Sequence, residues 1–392
     1  MPKIIGLLLI FFFYNQTWAQ DQGSDFLQGA WKLHQLKDDK VHQEFILNFK
    51  YSDTFHRYFG NSSVYGSITT LDHINFDEKA KTLSFSSHIR KGEVFNLKIV
   101  NEKFQGTFIR DNQEFKLTGS KIAKTNSNPV LAYGKYQTTT IPENIDELYV
   151  ETGNTNSEIV VLYVQGGPFD KLQYTQEFNA WKNELHIVYV KQAQMINPSI
   201  LPPENKLTYE DALKENLVSV EILKRLITHF KKQNKKVLVY GESYGAWIIQ
   251  KYIAEFGNEA DAVSISAGRL NKDLKILQAT KLNQKVYDIT YKNGKRIYTE
   301  MDFTYSKPNA YMLSSINSEI FTETLKDRDL SKLVVYQYGK KDGTVGHLDD
   351  NEIAFLQSKN VEIEVCKKCY HRQMLSAKIA NKAIEKMIKL VK

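Results

Sequence analysis

VLVYGESYGAW (Val237–Trp247) is the stretch on which the reading of this chain turns. Val237 to Tyr240 are apolar, β-favouring residues. They run into Gly241-Glu242-Ser243-Tyr244-Gly245, and from Ala246 the apolar residues continue at helical spacing to Phe256, where Gly257 closes the run. The pattern predicts a strand, a sharp turn and a helix. A Gly-x-Ser-x-Gly pentapeptide is common by chance, but between a buried strand and an apolar helix it has the context that lets one serine stand out of the packing. The small residues Gly241 and Gly245 allow strand and helix to approach closely. The N–H of Tyr244 then points into the space in front of the hydroxyl. Because a serine hydroxyl is a poor nucleophile at neutral pH, it needs a base, a group that orients the base, and donors for the oxyanion that forms. Ser243 is the candidate nucleophile, and the rest of the chain is searched for those partners.

Outward from the turn, strands alternate with helices. Glu158 to Val164 and Glu184 to Val190 are continuous apolar runs of the kind buried on both faces. Between Tyr209 and Phe230 the positions Leu213, Leu217, Val220, Leu223, Ile227 and Phe230 recur at helical spacing, with Thr208 and Asp211 three apart as a cap. Strands are predicted at Ala262 to Ser266, Leu333 to Tyr338 and Val361 to Val365, and an amphipathic helix carrying Ala380, Ile384, Met387, Ile388 and Val391 ends the chain. The alternation implies a doubly wound, mostly parallel α/β sheet over residues 130–392. Residues of about 270–330, rich in Lys, Asn and Tyr, break the rhythm and read as a cap inserted over the sheet.

Three further positions fall where the chemistry wants them. Asp342 follows the strand Leu333 to Tyr338, and His371 follows Val361 to Val365, so both leave the same edge of the sheet as Ser243. His347 lies only five residues beyond Asp342 and is too close to be carried to the serine separately. Val164-Gln165-Gly166-Gly167-Pro168 follows an early strand. Pro168 has no N–H, so Gly167 is the predicted oxyanion donor together with Tyr244.

On these residues the chain resembles the α/β-hydrolase superfamily over about residues 130 to 392. The order serine, acid, histidine is that of the superfamily's catalytic triad. The resemblance implies a Ser243–His371–Asp342 triad acting through an acyl-enzyme on a small ester or short peptide, with no cofactor. The Gly-Gly-Pro loop and the long helix before the serine strand are similar to the prolyl-aminopeptidase branch. That branch has His where Gln165 stands, and Asp-Gln-Arg-Gly where this chain has Lys191-Gln192-Ala193-Gln194. Two other classes share the residue pattern: a binding or sensing protein that keeps the fold without turnover, and an acyltransferase.

Residues 24–122 look all-β. Phe45 to Phe49, Val94 to Val100, Phe104 to Ile109 and Phe115 to Leu117 are short runs separated by charged or Gly-containing turns, and Phe95, Leu97 and Ile99 alternate with Asn96 and Lys98. This predicts a small antiparallel barrel or sandwich. Gly29-Ala30-Trp31 is similar to the opening of lipocalin-like barrels, with Trp31 expected as a core plug. Gly29, Trp31 and the strand pair from Gly106 to Leu117 also resemble the N-terminal module of a group of secreted bacterial α/β-hydrolases. Lys121 to Pro129 reads as a linker.

The chain has 392 residues, 42% hydrophobic and 25% charged, which is enough for a large core. Its formal charge of +7 is spread along the chain beside acids, without a basic block or an aromatic-interleaved stripe. It therefore reads as a solvated surface, not a nucleic-acid interface. Lys3, the apolar run Ile4 to Tyr14 and Thr17-Trp18-Ala19 predict a cleaved secretory signal over residues 1–19. The run is too short for a membrane span of about 20 residues. A secreted or periplasmic location follows as the expectation. Cys366 and Cys369 are the only cysteines. Cys366-Lys367-Lys368-Cys369-Tyr370-His371 contains zinc-ligand residue types, but no second cysteine pair completes a structural site. In an oxidising compartment a local Cys366–Cys369 disulfide bracing the His371 loop is the expectation.

Overall fold

The computed structural model of the chain describes residues 26–52, 57–64, 67–87, 92–122, 136–172, 176–283, 285–292 and 295–392. The signal segment 1–19 and most of the linker lie outside the described residues.

The front end is a closed barrel of eight strands: β1 (Gly29–Lys37), β2 (Lys40–Ser52), β3 (Arg57–Val64), β4 (Ser67–Asp77), β5 (Thr82–Ser87), β6 (Val94–Val100), β7 (Lys103–Arg110) and β8 (Gln113–Ile122). Each strand pairs antiparallel with the next, and β8 returns to β1 with Leu33 opposite Gly119. Closure removes both edges, which a two-sheet sandwich would leave open. The alternation in β6 is as expected, with Phe95, Leu97 and Ile99 buried. The interior is filled by side chains. Trp31 is fully buried, donates its indole N–H to the Leu27 carbonyl at 2.9 Å and lies 4.1 Å from the Phe104 ring. Phe95 stacks on Phe85 and on Phe108, each at 4.5 Å.

The second unit is built on a seven-stranded sheet whose strands are β9 (Tyr149–Gly153), β10 (Ile159–Val164), β11 (His186–Val190), β12 (Lys236–Glu242), β13 (Ala262–Ser266), β16 (Leu333–Gly339) and β17 (Glu362–Cys366). Their spatial order is β17-β16-β13-β12-β10-β11-β9, all parallel except β9, which runs against β11. This is the doubly wound, mostly parallel α/β sheet that the alternation of strands and helices predicts. Side chains of β10 and β12 point alternately to two cores. Val160, Leu162, Val164, Val237 and Val239 face α2 (Tyr209–Lys232) and α3 (Tyr244–Phe256), whereas Val161, Tyr163, Leu238 and Tyr240 face α9 (Ala377–Val391). On α3, Ile248, Ile249 and Tyr252 are fully buried, each such side chain contributing about 1.5–3 kcal/mol.

Helix α2 starts as expected: the Thr208 hydroxyl accepts from the Asp211 N–H at 3.1 Å. Its buried face is not the one expected throughout. Leu213 and Leu217 are exposed, and Glu215, Asn216 and Ser219 are buried instead. The Glu215 carboxylate accepts from Tyr136 OH and, at 2.9 Å, from the Thr139 N–H. Asn216 donates to the Met312 carbonyl at 3.0 Å. Polar side chains anchor the first half of this helix because its neighbours present hydrogen-bonding groups there.

The remaining elements are α1 (Ala193–Ile196), α4 (Leu274–Asn283), a hairpin β14 (Lys285–Lys292) and β15 (Lys295–Thr304), α5 (Lys307–Ile316), α6 (Phe321–Thr324), α7 (Asp350–Ser358) and α8 (His371–Met374). The segment read as a cap thus holds helices and a two-stranded hairpin of its own. Among the described residues no helix is long and apolar enough to cross a membrane.

Candidate active site

The sheet reverses its winding at β10. From β10 the chain moves to β11 on one side, then crosses back by α2 to β12 on the other. The carboxyl ends of β10 and β12 therefore stand side by side, with Val164 opposite Gly241, at the switch point where open α/β sheets form their ligand crevice. Ser243 sits at the end of β12 and the Gln165–Pro168 loop at the end of β10, so the parallel register alone brings them together. Ser243 has φ 53° and ψ −118°, a conformation a non-glycine residue adopts only when its surroundings over-determine it. Its N–H donates to the Ser266 carbonyl at 3.1 Å and its carbonyl accepts from the Ala246 N–H at 3.0 Å. Gly241 and Gly245 flank it where strand and helix touch. A Cβ on Gly245 would stand 2.6 Å from the Val164 carbonyl carbon and 2.7 Å from the Gln165 oxygen.

His371 Nε2 lies 3.0 Å from Ser243 Oγ, and His371 Nδ1 lies 2.7 Å from Asp342 Oδ2. Asp342 is buried, and its other oxygen accepts from the N–H groups of Thr344 and Val345 at 3.1 and 3.2 Å. The carboxylate is thus held from three sides. With Nδ1 directed at a carboxylate, the imidazole carries its proton there and leaves Nε2 free to accept from the serine. His347 turns elsewhere, with Nδ1 2.7 Å from the Leu348 carbonyl oxygen. Gly166 lies against Ser243: a Cβ there would be 3.2 Å from the Ser243 Cβ. Gly167 follows directly on this loop. The Tyr244 N–H belongs to the first turn of α3, where backbone donors have no intrahelical acceptor. The Tyr244 side chain is buried away from the crevice, its hydroxyl donating to Asn216 Oδ1. Burial pushes that phenol far above its ordinary value, so it stays a neutral donor.

Cys366 and Cys369 are joined as a disulfide, with Cα atoms 5.4 Å apart. The ring does more than close its own turn. The Cys366 carbonyl accepts from the Lys340 N–H at 3.0 Å, and the Cys369 carbonyl from the Lys341 N–H at 3.1 Å. Lys340 and Lys341 immediately precede Asp342, so the disulfide loop that carries His371 is stitched to the loop that carries Asp342.

Sequence reasoning missed the contribution of the β14–β15 hairpin. The Ile289 N–H donates to the Gly343 carbonyl at 2.9 Å, and the Asp288 carboxylate fills the space where a Gly343 side chain would stand. The hairpin is tied down by ion pairs. Arg296 bridges Asp273 and Asp349 at 3.0 Å each, and the buried Arg269 joins Asp349 at 3.2 Å and Glu352 at 2.7 Å. Burial raises Asp273, but the Tyr298 hydroxyl and the Arg296 guanidinium more than offset this and hold its carboxyl below the ordinary value. A lone Arg on a polar strand carries no signal of such a role. Among the described residues no cluster of three metal-ligating side chains occurs.

No protein-family model matches the sequence. No curated protein is detectably similar to it. Solved structures are similar to part of it. The metagenome-derived lipolytic enzymes LipS and LipT are represented by a structure 12% identical, aligned over 62% of this chain and 97% of that one, with a TM-score of 0.42. A monoacylglycerol lipase of Paleococcus ferrophilus is 13% identical over 62% of this chain and 98% of its own, with a TM-score of 0.42. A soluble variant of monoglyceride lipase from Saccharomyces cerevisiae, in complex with a substrate analogue, is 14% identical over 66% of this chain and 97% of its own, with a TM-score of 0.40.

Proposed function

We propose that this protein is a serine hydrolase that cleaves a small carboxylic ester or amide through an acyl-enzyme. The observation that carries the reading is the continuous relay from the Asp342 carboxylate through both ring nitrogens of His371 to Ser243 Oγ, at 2.7 and 3.0 Å. In this mechanism Ser243 Oγ attacks the carbonyl carbon as its proton passes to His371 Nε2. Asp342 stabilises the resulting imidazolium. The carbonyl π electrons move to oxygen, and the oxyanion is held by the N–H groups of Gly167 and Tyr244. Collapse breaks the bond to the alcohol or amine, which leaves with the proton from His371. Water then attacks the acyl-serine by the same path and releases the acid. Each step uses side chains and backbone of this chain, so no cofactor is invoked.

Gln165 and the Lys191–Gln194 segment, which depart from the aminopeptidase pattern, favour ester over aminopeptidase specificity. We also propose export. The N-terminal segment and the Cys366–Cys369 bond both suit an oxidising compartment. A fluorophosphonate probe should label Ser243 stoichiometrically, and p-nitrophenyl esters tested beside aminoacyl-arylamides should show turnover with the esters first. An unlabelled serine would leave a binding protein on a hydrolase fold. Product transfer to an added alcohol or amine in preference to water would indicate an acyltransferase.

A further inference from the structure

The parallel register that sets Val164 beside Gly241 also sets the residue after β11 beside the residue after β10, since Tyr163 lies opposite Tyr189. The two chains leave the sheet together, and the side chain of Gln192 reaches the Gly-Gly-Pro loop. Gln192 Nε2 donates to the Gln165 carbonyl at 2.8 Å, and Gln194 Nε2 donates to Gln192 Oε1 at 2.5 Å. Gln165, Gln192 and Gln194 are each about 1% exposed. The direction of this chain is fixed by chemistry. A backbone carbonyl only accepts, so Gln192 must present its NH₂ to it. The Gln192 oxygen is then an acceptor, and Gln194 must present its own NH₂. The Gln194 oxygen is left as a buried acceptor without a hydrogen-bond partner among the described residues.

We propose that Gln192, oriented by Gln194, is a positioning residue for the oxyanion site. It fixes the Gln165–Gly166 peptide plane, one unit before the peptide that carries the Gly167 N–H, and so sets the course of the loop from which that N–H projects. Gly245 also packs on the Gln165 carbonyl: its missing Cβ would lie 2.7 Å from that oxygen. The carbonyl thus meets both a side-chain donor and the nucleophile helix. A Cβ on Gly167 would stand 3.8 Å from Gln192 Oε1, so the relay runs directly past the donor it aims. This assignment rests on the serine-hydrolase reading and deepens it.

The test is Gln192→Met, which keeps the length and removes the donor, assayed on a p-nitrophenyl ester with active sites titrated by fluorophosphonate. Loss of a whole oxyanion donor costs about 100- to 1,000-fold in kcat, so mis-aiming one is expected to cost about 10- to 100-fold per titrated site. KM should change by no more than about twofold, since the donor acts on charge that develops after binding. A merely structural role would lower the titrated fraction and leave kcat per site intact. That result, or a loss confined to KM, overturns the proposal. Gln194→Met leaves the bond from Gln192 to the loop and removes only its orienting partner. It should lower kcat per site in the same sense but less, and serves if Gln192→Met does not fold. Wild-type kcat in Gln194→Met would equally overturn the relay. Wild-type protein that the probe fails to label at Ser243 refutes the hydrolase reading itself, a result distinct from an unchanged kcat in a labelled variant.

Discussion

Replacing Gly245 by alanine adds one methyl group where the first turn of α3 meets the end of β10. Its Cβ would stand 2.6 Å from the Val164 carbonyl carbon and 2.7 Å from the Gln165 oxygen, with the Val164 oxygen closer still. Ordinary van der Waals contact begins near 3.4 Å. The start of α3 and the end of β10 must therefore part by roughly 0.8 Å or more, and both partners are backbone that cannot rotate away. Overpacking of this kind costs about 1–3 kcal/mol of stability. The functional loss should be larger, because the movement separates Ser243 and the Tyr244 N–H on one side from Gly167 on the other. A misplacement of about 1 Å between reacting groups costs on the order of 100-fold in rate. Gly241→Ala is the internal control. Its Cβ would meet the flexible end of Ile249 and lie 3.0 Å from the Gly245 oxygen, so most of the clash can be relieved by one side-chain rotation. The assay is kcat on a p-nitrophenyl ester beside the melting temperature of each variant. Gly245→Ala should lose about 100-fold in kcat and Gly241→Ala distinctly less. Gly245→Ala with wild-type kcat, or a Gly241→Ala variant that is the worse of the two, would show that this backbone contact does not hold the crevice in register.

Ser243→Ala should abolish turnover and leave the fold intact, since the side chain stands out of the packing; retention of more than about a few per cent of wild-type rate excludes Ser243 as nucleophile. Asp342→Asn keeps the shape but presents an amide where His371 needs a carboxylate, so kcat at neutral pH should fall by roughly four powers of ten, and an unchanged rate would point to another acid. Reducing the Cys366–Cys369 bond, or replacing both residues by Ser, should lower the rate more than the melting temperature. A ring this small stabilises less than the about 2–4 kcal/mol typical of longer loops, whereas its carbonyls tie the His371 loop to the Asp342 loop; full activity in the double variant would show a passive brace. The depressed Asp273 carboxyl contributes stability that is full above its ordinary value of 3.8 and is lost as pH falls through its lower folded value. The melting-temperature advantage of wild type over Asp273→Asn should accordingly shrink on acidification below that value, and an advantage independent of pH would remove Asp273 from the hairpin latch.

The sequence alone carried the features that repeat locally. Period-two alternation marked strands of the front end, continuous apolar runs and period-3.6 patterns marked most strands and helices of the second unit, and the Thr208–Asp211 pair marked the start of α2, because burial and satisfaction of the first-turn N–H groups are written in near neighbours along the chain. The strand–turn–helix context of Ser243, and the order in which Asp342 and His371 follow it, were legible for the same reason. Tertiary structure decided whatever depends on a partner distant in sequence. Strands β3 and β4 contain Gly, Asn, Ser and Thr that give little alternation, and only closure of β8 onto β1 makes the front end a barrel and not a sandwich. Apolar spacing placed Leu213 and Leu217 on the core face of α2, yet Glu215 and Asn216 are buried there, because Tyr136, Thr139 and Met312 supply matching groups from elsewhere in the chain. Lys191-Gln192-Ala193-Gln194 registered only as a departure from a familiar pattern. Its grip on the Gln165 carbonyl arises from the register of β10 with β11, and the hairpin's seat on Gly343 from the way the segment between β13 and β16 folds back. Local pattern fixes which face of an element is buried on average; which atoms meet in the crevice is set by hydrogen bonds and contacts that form only when the sheet has assembled.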